Sequence, residues 1–134
     1  MPGDIHVPAA LPDHVKLREA GGVTIVECFG SFMDPGHNYF LRDQLLELIR
    51  AGSTLVLLMF ADDALWTELT LDAILRARNL LRELHGQFKL VVAGEYNRKI
   101  LQVTRLAPTL EVFPTEQEAL ASFTRRQDPS QTGA

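Results

Sequence analysis

Thr67, Glu68, Thr70 and Asp72 crowd into the stretch WTELTLDAIL, which runs from Trp66 to Leu75. Two hydroxyls and two carboxylates at that spacing suit the start of a helix. There the free backbone N–H groups and the positive end of the dipole favour hydroxyl caps, carboxylates and phosphates. Thr67 and Thr70 can each cap such a helix, and each also offers a hydroxyl to a kinase. Capping by itself accounts for all four residue types. Whether the mouth is also a switch or a ligand site depends on what surrounds it.

Asp62 and Asp63, just upstream, are the other acidic pair. An acidic pair near a strand end can hold Mg²⁺ in phospho-acceptor receiver domains, where it follows the first strand and an acceptor Asp ends the third. Here the pair follows the third strand, and no Asp ends the earlier ones in the matching place, so a solvated loop is the reading. His6, His14, His37 and His85 are widely spaced with no i, i+4 pairing, and with Cys28 they offer no metal-ligand spacing. No G-x-S-x-G elbow, phosphate-binding G-x-x-x-x-G-K-[ST] loop or G-x-G-x-x-G turn is present. The expectation is a protein with no catalytic residues, no metal and no cofactor.

The elements around the mouth follow from periodicity. Val15-Lys-Leu17, a turn at Gly21-Gly22, and Val23 to Phe29 read as a hairpin. Asp34-Pro35 caps and opens a helix whose face is Leu41, Leu45, Leu48 and Ile49, with Gly52 as its C′ residue. Leu55 to Phe60 is a short continuous apolar run, the pattern of a strand covered on both faces. A second helix spans about Thr70 to His85 and closes at Gly86. Phe88 to Ala93 is the next strand, and Tyr96, Ile100, Val103 and Ala107 mark a third helical stripe. Leu110 to Phe113 is a short strand, and Thr115 to Glu118 forms a capping box before a helix carrying Ala119, Leu120 and Phe123. The order ββαβαβαβα predicts an α/β domain with helices on a mixed, mostly parallel sheet. Residues 1–13 read as a loose arm, 14–123 as the domain, and 124–134 as a disordered tail.

Bulk properties agree with one domain. At 134 residues the chain buries roughly two-thirds of its unfolded surface without needing a metal or disulfide. A net charge of −4 with dispersed Lys and Arg excludes the basic face a nucleic-acid binder needs. Cys28 lies in an apolar stretch and fits a buried thiol in a reducing compartment. No signal peptide or membrane span is visible, so the expected location is cytoplasmic.

From Val15 to Phe123 the layout resembles a STAS domain, the family of bacterial anti-sigma factor antagonists and of the cytoplasmic domains of sulphate transporters. The family's third strand typically reads like VVLDLSGV, with DSSGLGAL at the mouth of the second helix. VLLMFADDALWTELTLDAILRAR matches it in length and hydrophobic pattern. The family's G-R-L-D turn is similar to Gly30-Ser-Phe-Met-Asp34 with an offset of one residue, and its late E-A-L to Glu118-Ala-Leu120. On this alignment the strand-end Asp falls on Met59, and D-S-S-G falls on Thr67-Glu-Leu-Thr70. In the family's antagonists a partner kinase phosphorylates the Ser before the Gly and abolishes binding. Leu69, at that position, has no hydroxyl. Glu68 carries a permanent charge of about one where phosphoserine would carry ~1.5–2. Thr67 or Thr70 would be the substitute acceptors.

The resemblance implies a non-enzymatic module that docks a protein partner: an anti-sigma factor kinase or another STAS protein, a second copy included. Its contact residues would come from the 30s turn with Asp34, the loop with Asp62, Asp63 and Trp66, and the mouth from Thr67 through Glu68, Leu69 and Thr70. On the second helix, Ala73, Ile74, Ala77, Leu80, Leu81 and Leu84 should face the sheet. Leu71 and Leu75 fall outside that arc, in line with Arg78 and Arg82, as an apolar strip for the partner or as packing beneath the loop. Trp66 fits either a binding anchor or a buried plug. The alternative is a small-ligand module for a nucleotide or apolar molecule, with Met33, Met59, Phe60 and Trp66 lining a pocket near the mouth.

Overall fold

The computed structural model describes residues 14–106 and 109–127, with the side chains of 124–127 excepted. The strands are β1 (Val15–Ala20), β2 (Val23–Cys28), β3 (Leu55–Phe60), β4 (Gln87–Val92) and β5 (Glu111–Phe113). Between and after them lie α1 (Pro35–Arg50), α2 (Glu68–Glu83), α3 (Glu95–Val103) and α4 (Glu116–Gln127). The order ββαβαβαβα is the one the periodicities predict. All five strands form one sheet in the order β1-β2-β3-β4-β5; β1 pairs with β2 antiparallel and every other pair is parallel.

Strand alternation divides the apolar residues between two cores. Val26, Cys28, Val56, Leu58, Phe60, Leu90 and Val92 point to one face and meet α1, α2 and Leu101 of α3. Right-handed crossovers from one parallel strand to the next place those three helices on the same side. Val23, Ile25, Leu57 and Val91 point to the other face, where Ala119 and Phe123 of α4 cover them. Cys28 is buried, and burial raises its thiol pKa well above the ordinary value, so it stays protonated and inert.

Helix ends follow their caps. Asp34 accepts from the Gly36 N–H at 2.8 Å ahead of Pro35 at the first helical position. Gly52 closes α1 in the left-handed conformation, as expected. At the end of α2 the roles differ from expectation: His85 takes the left-handed position (φ 62°), and the Gly86 N–H bonds to the Leu81 carbonyl at 2.7 Å. Gly86 is needed for a different reason, since a Cβ there would lie 2.5 Å from Leu81 Cδ2 and from the Thr54 carbonyl oxygen. Leu84, expected to face the sheet, caps this helix and is exposed.

In α3 the buried face is offset by one residue from the Tyr96, Ile100, Val103 stripe. Asn97 and Leu101 are buried, Ile100 is partly so, and Tyr96 and Val103 face out. α4 continues through Gln127, four residues past the expected domain boundary at Phe123. Extending a nucleated helix is easy where no Pro or Gly intervenes. Ala107, the arm over 1–13 and the tail beyond Gln127 lie outside the described residues.

Two charged groups fasten α4. Arg18 forms a two-pronged bond to Glu116 (2.6 and 2.9 Å) and a further contact to Glu27 at 3.1 Å. Lys89 is fully buried on the same face, pairs with Glu111, and lies over the rings of Phe113 and Phe123. Such a pair is worth little net, but orphaning its buried cation is costly. Glu111→Ala should therefore lower stability by about 1–2 kcal/mol, softened by the half-exposure of Glu111, whereas Lys89→Met should leave it unchanged or raised; chemical denaturation of the two variants checks this.

The hydrogen bond from Arg18 holds the Glu116 carboxyl below its ordinary value of 4.5. A depressed folded-state pKa stabilises above the unfolded value and loses that contribution as pH falls through the folded one. The contribution of this half-exposed pair, under ~1 kcal/mol, should be whole above about pH 4.5 and fade below it. Glu116→Gln should flatten that acid limb in thermal melts.

The candidate partner-docking mouth

The loop from Ala61 to Trp66 leaves the end of β3 and turns inward. Ala64 and Trp66 are fully buried. Burying a loop exposes its peptide groups to an environment without water, so each needs a partner. Asn97 of α3 supplies two: its carboxamide donates to the Ala64 carbonyl at 2.5 Å and accepts from the Trp66 N–H at 3.1 Å. One side chain thus pairs with an acceptor and a donor two residues apart, as a neighbouring strand would.

Asn38 of α1 ties the 30s turn to the mouth of α2. Its Nδ2 donates to the Phe32 carbonyl at 2.6 Å and to the Asp34 carbonyl at 3.2 Å, and its Oδ1 accepts from the Thr70 hydroxyl. Thr67 and Thr70 complete a capping box: the Thr67 hydroxyl oxygen accepts from the Leu69 N–H at 3.2 Å, and that of Thr70 from the Thr67 N–H at 3.0 Å. The Phe32 N–H donates to the Leu65 carbonyl at 2.9 Å, and the Gly30 N–H to Asp63 Oδ1 at 3.0 Å. The 30s turn, the loop and the mouth of α2 are therefore one bonded unit. Gly30 sits at φ +75°, with His14 close enough that a Cβ would crowd its imidazole.

Aromatic edges fill the space beneath. Trp66 meets Phe60 (centroids 5.0 Å), Phe60 meets Phe32 (6.1 Å), and Phe32 meets His14 and His37. His14 and His37 stack at 3.9 Å.

Each expected contact residue now has a place. Asp34, Asp62, Asp63 and Glu68 are exposed on the rim of the mouth. Leu69 and Thr67 are half-buried there. Trp66 is the plug and not a presented anchor: its side chain is enclosed, and its indole N–H meets no acceptor among the described residues. Thr70 is also enclosed, its hydroxyl held by Asn38 and Thr67, so it is closed to a partner and to a kinase. Leu71 and Leu75 pack against the main core in part, because the loop and α1 reach over that side of the helix. Arg78 stands apart from the mouth, about 16 Å along the helix from Thr67 at 1.5 Å per residue.

The ligand-pocket lining does not assemble. Met59 belongs to the α4 side of the sheet, Phe60 and Trp66 to the opposite core, and Met33 is exposed. Sequence reasoning missed Asn38 and Asn97, although each gives a signal. Asn38 precedes Leu41 and Leu45 by three and seven residues, and Asn97 precedes Leu101 by four, so each is a polar residue on a core-facing stripe. Among the described residues no group of His, Cys, Asp and Glu could hold a metal, and no helix is long and apolar enough to cross a membrane.

Comparison with known proteins follows the same outline. The STAS domain family model matches residues 14–119. Among solved structures, a candidate anti-sigma factor antagonist from Thermotoga maritima superposes with a TM-score of 0.72 at 16% identity, covering 81% of this chain and 92% of its own. An anti-sigma factor antagonist from Mycobacterium paratuberculosis gives 0.71 at 18%, covering 81% and 91%. The anti-sigma factor antagonist SpoIIAA in its unphosphorylated form gives 0.66 at 18%, covering 82% and 96%. At such identities the likeness is one of fold. No curated protein sequence matches the chain.

Replacing either asparagine should loosen the mouth. Asn97→Leu strands one buried N–H and one buried carbonyl and should cost about 2–6 kcal/mol at ~1–3 kcal/mol per orphaned group. Hydrogen exchange should show amides 64–67 losing protection before those of β3; equal protection in both would contradict this role for Asn97.

Proposed function

This chain belongs to the STAS domain family, and we propose that it is a non-enzymatic interaction module in bacterial signalling, akin to an anti-sigma factor antagonist or a scaffold subunit. It docks a cytoplasmic protein through the 30s turn, the 61–66 loop and the first turn of α2. The partner is an anti-sigma factor kinase or another STAS protein. Binding at this mouth is constitutive, since Leu69 occupies the place of the family's phosphorylated serine.

The observation that carries the reading is the mouth's combination of a fixed backbone and an acidic rim. Asp34, Asp62, Asp63 and Glu68 are all exposed, and no Lys or Arg occurs in residues 30–41 or 61–75. Such a rim complements a basic surface, where opposite potentials raise the association rate and reject wrong partners. It also repels the phosphates of an approaching kinase's nucleotide. Thr67 is half-buried and spends its oxygen on the Leu69 N–H, so it is poorly placed as a substitute acceptor. Glu68 supplies a fixed charge at the helix start without a phosphoryl group.

The test compares wild type, Leu69→Ser and a double variant, Asp62→Lys with Glu68→Lys, as baits in native lysate. Captured proteins are identified and each bait is weighed intact. The wild type should retain a protein with a basic docking face and gain no phosphate; the charge-reversed bait should lose that protein at least tenfold with an unchanged melting temperature. A partner that is a kinase should add phosphate to Leu69→Ser alone. Equal capture by wild type and the reversed bait would sink the docking site, and phosphate on wild-type Thr67 would sink the constitutive reading.

A further inference from the structure

At the end of the sheet opposite the mouth, a cavity of about 330 Å³ opens between the last turns of α2 and the starts of β4 and β5. Two features of its wall have no structural use. Arg78 and Arg82 stand one helical turn apart on α2 and both line it. Like charges at that spacing repel, which costs the helix a few tenths of a kcal/mol unless something anionic sits between them. Among the described residues Arg82 pairs with no carboxylate, and Arg78 is held only by the side chain of its neighbour Asn79, at 3.0 Å. The second feature is Gln87, which lines the same cavity and whose side-chain oxygen is buried with no hydrogen-bond partner among the described residues. Buried acceptors are rarely left so.

Between these polar groups Leu81, Phe88 and Leu110, each almost wholly buried, give the floor a narrow apolar strip beside Gly86 and Thr109. Among the described residues Glu111 is the one carboxylate in the lining, and Lys89 already neutralises it. The cavity is therefore cationic at the helix, with a narrow apolar strip in its floor, and short of a donor at Gln87. Its volume suits a compact organic molecule.

We propose that this cavity is a binding site for a small organic anion with an apolar body and an N–H donor. The anionic group lies in the fork of the two guanidinium groups, which match carboxylate or phosphate oxygens. The apolar body rests on Phe88 and Leu110, and the N–H is donated to Gln87 Oε1. The site is separate from the mouth, so it stands or falls independently of the docking reading.

Three probes dissect it: 4-aminophenyl phosphate, which has all three features; phenyl phosphate, which lacks the N–H; and aniline, which lacks the anion. Binding is titrated by amide shifts in nitrogen-labelled full-length protein. The first probe should move the amides of 78–88 and 109–111 in a saturable way, phenyl phosphate should bind several-fold more weakly, and aniline should not bind. Arg78→Ala and Arg82→Ala should each weaken the first probe at least tenfold, and Gln87→Leu should erase its advantage over phenyl phosphate. Arg76→Ala serves as the control, because Arg76 is exposed and paired with Asp72. No saturable shift with any probe overturns the proposal, as does an equal loss in Arg76→Ala, which would mean attraction by surface charge alone. Equal affinity for the two phosphates would remove Gln87 from the site and overturn the donor requirement.

Discussion

A loop that dives under two helices must leave none of its peptide groups stranded, and that constraint organises one end of this domain. The segment after β3 buries Ala64 and Trp66 completely, which fills the space above Phe60 but removes water from the backbone on either side. An unpaired buried peptide group costs ~1–3 kcal/mol, comparable to what burying a large side chain gains. Asn97 of α3 pairs the loop's peptide groups, and Asn38 of α1 pairs those of the adjoining 30s turn. Because each asparagine belongs to a helix packed on the sheet, the loop's position is set by the whole core.

The same bonds decide what the mouth can do. Fixing the 30s turn, the loop and the first turn of α2 as one body leaves little conformational entropy to lose on docking, which favours affinity by preorganisation. It also consumes hydroxyl chemistry: of the two threonines flanking Glu68 and Leu69, Thr70 is enclosed and Thr67 is spent as a cap. What remains on the outside is charge. In the proposed docking, a surface of carboxylates on a rigid frame would select a partner by electrostatic fit. Any regulation of binding would then have to act on the partner or elsewhere on this chain, and the arginine-lined cavity at the far end of α2 is connected to the mouth by a single continuous helix.

The two faces of the sheet divide the labour. The face under α1, α2 and α3 carries the large apolar core and the mouth. The face under α4 is smaller and depends on charge: Arg18 bridging β1, β2 and α4, and Lys89 enclosed between aromatic rings. α4 is held by one ion pair to Arg18, by the Lys89 cation over Phe123, and by the two core residues Ala119 and Phe123.

Much of this was legible in the chain itself. Continuous apolar strands, the Asp34-Pro35 helix start and Gly52 at a helix end are local signals with local causes, so element order and fold class followed from them, whereas the second helix, expected from about Thr70, starts at Glu68 with Thr67 as its cap. What required the tertiary structure were the residues whose roles depend on distant partners. Asn38 and Asn97 looked like blemishes on apolar stripes until the loop arrived beside them. The offset of the buried face in α3 has the same origin, because Asn97 counts as polar in any periodicity and yet faces inward. Trp66 and Thr70 looked available because burial is a property of packing, not of residue type. Arg78 and Arg82 read as a border to an apolar strip, and only the approach of β4 and β5 gave them a cavity to face. Sequence fixes what is local because backbone preference and side-chain period act within a few residues; which polar groups meet is decided by contacts between segments 30 or more residues apart.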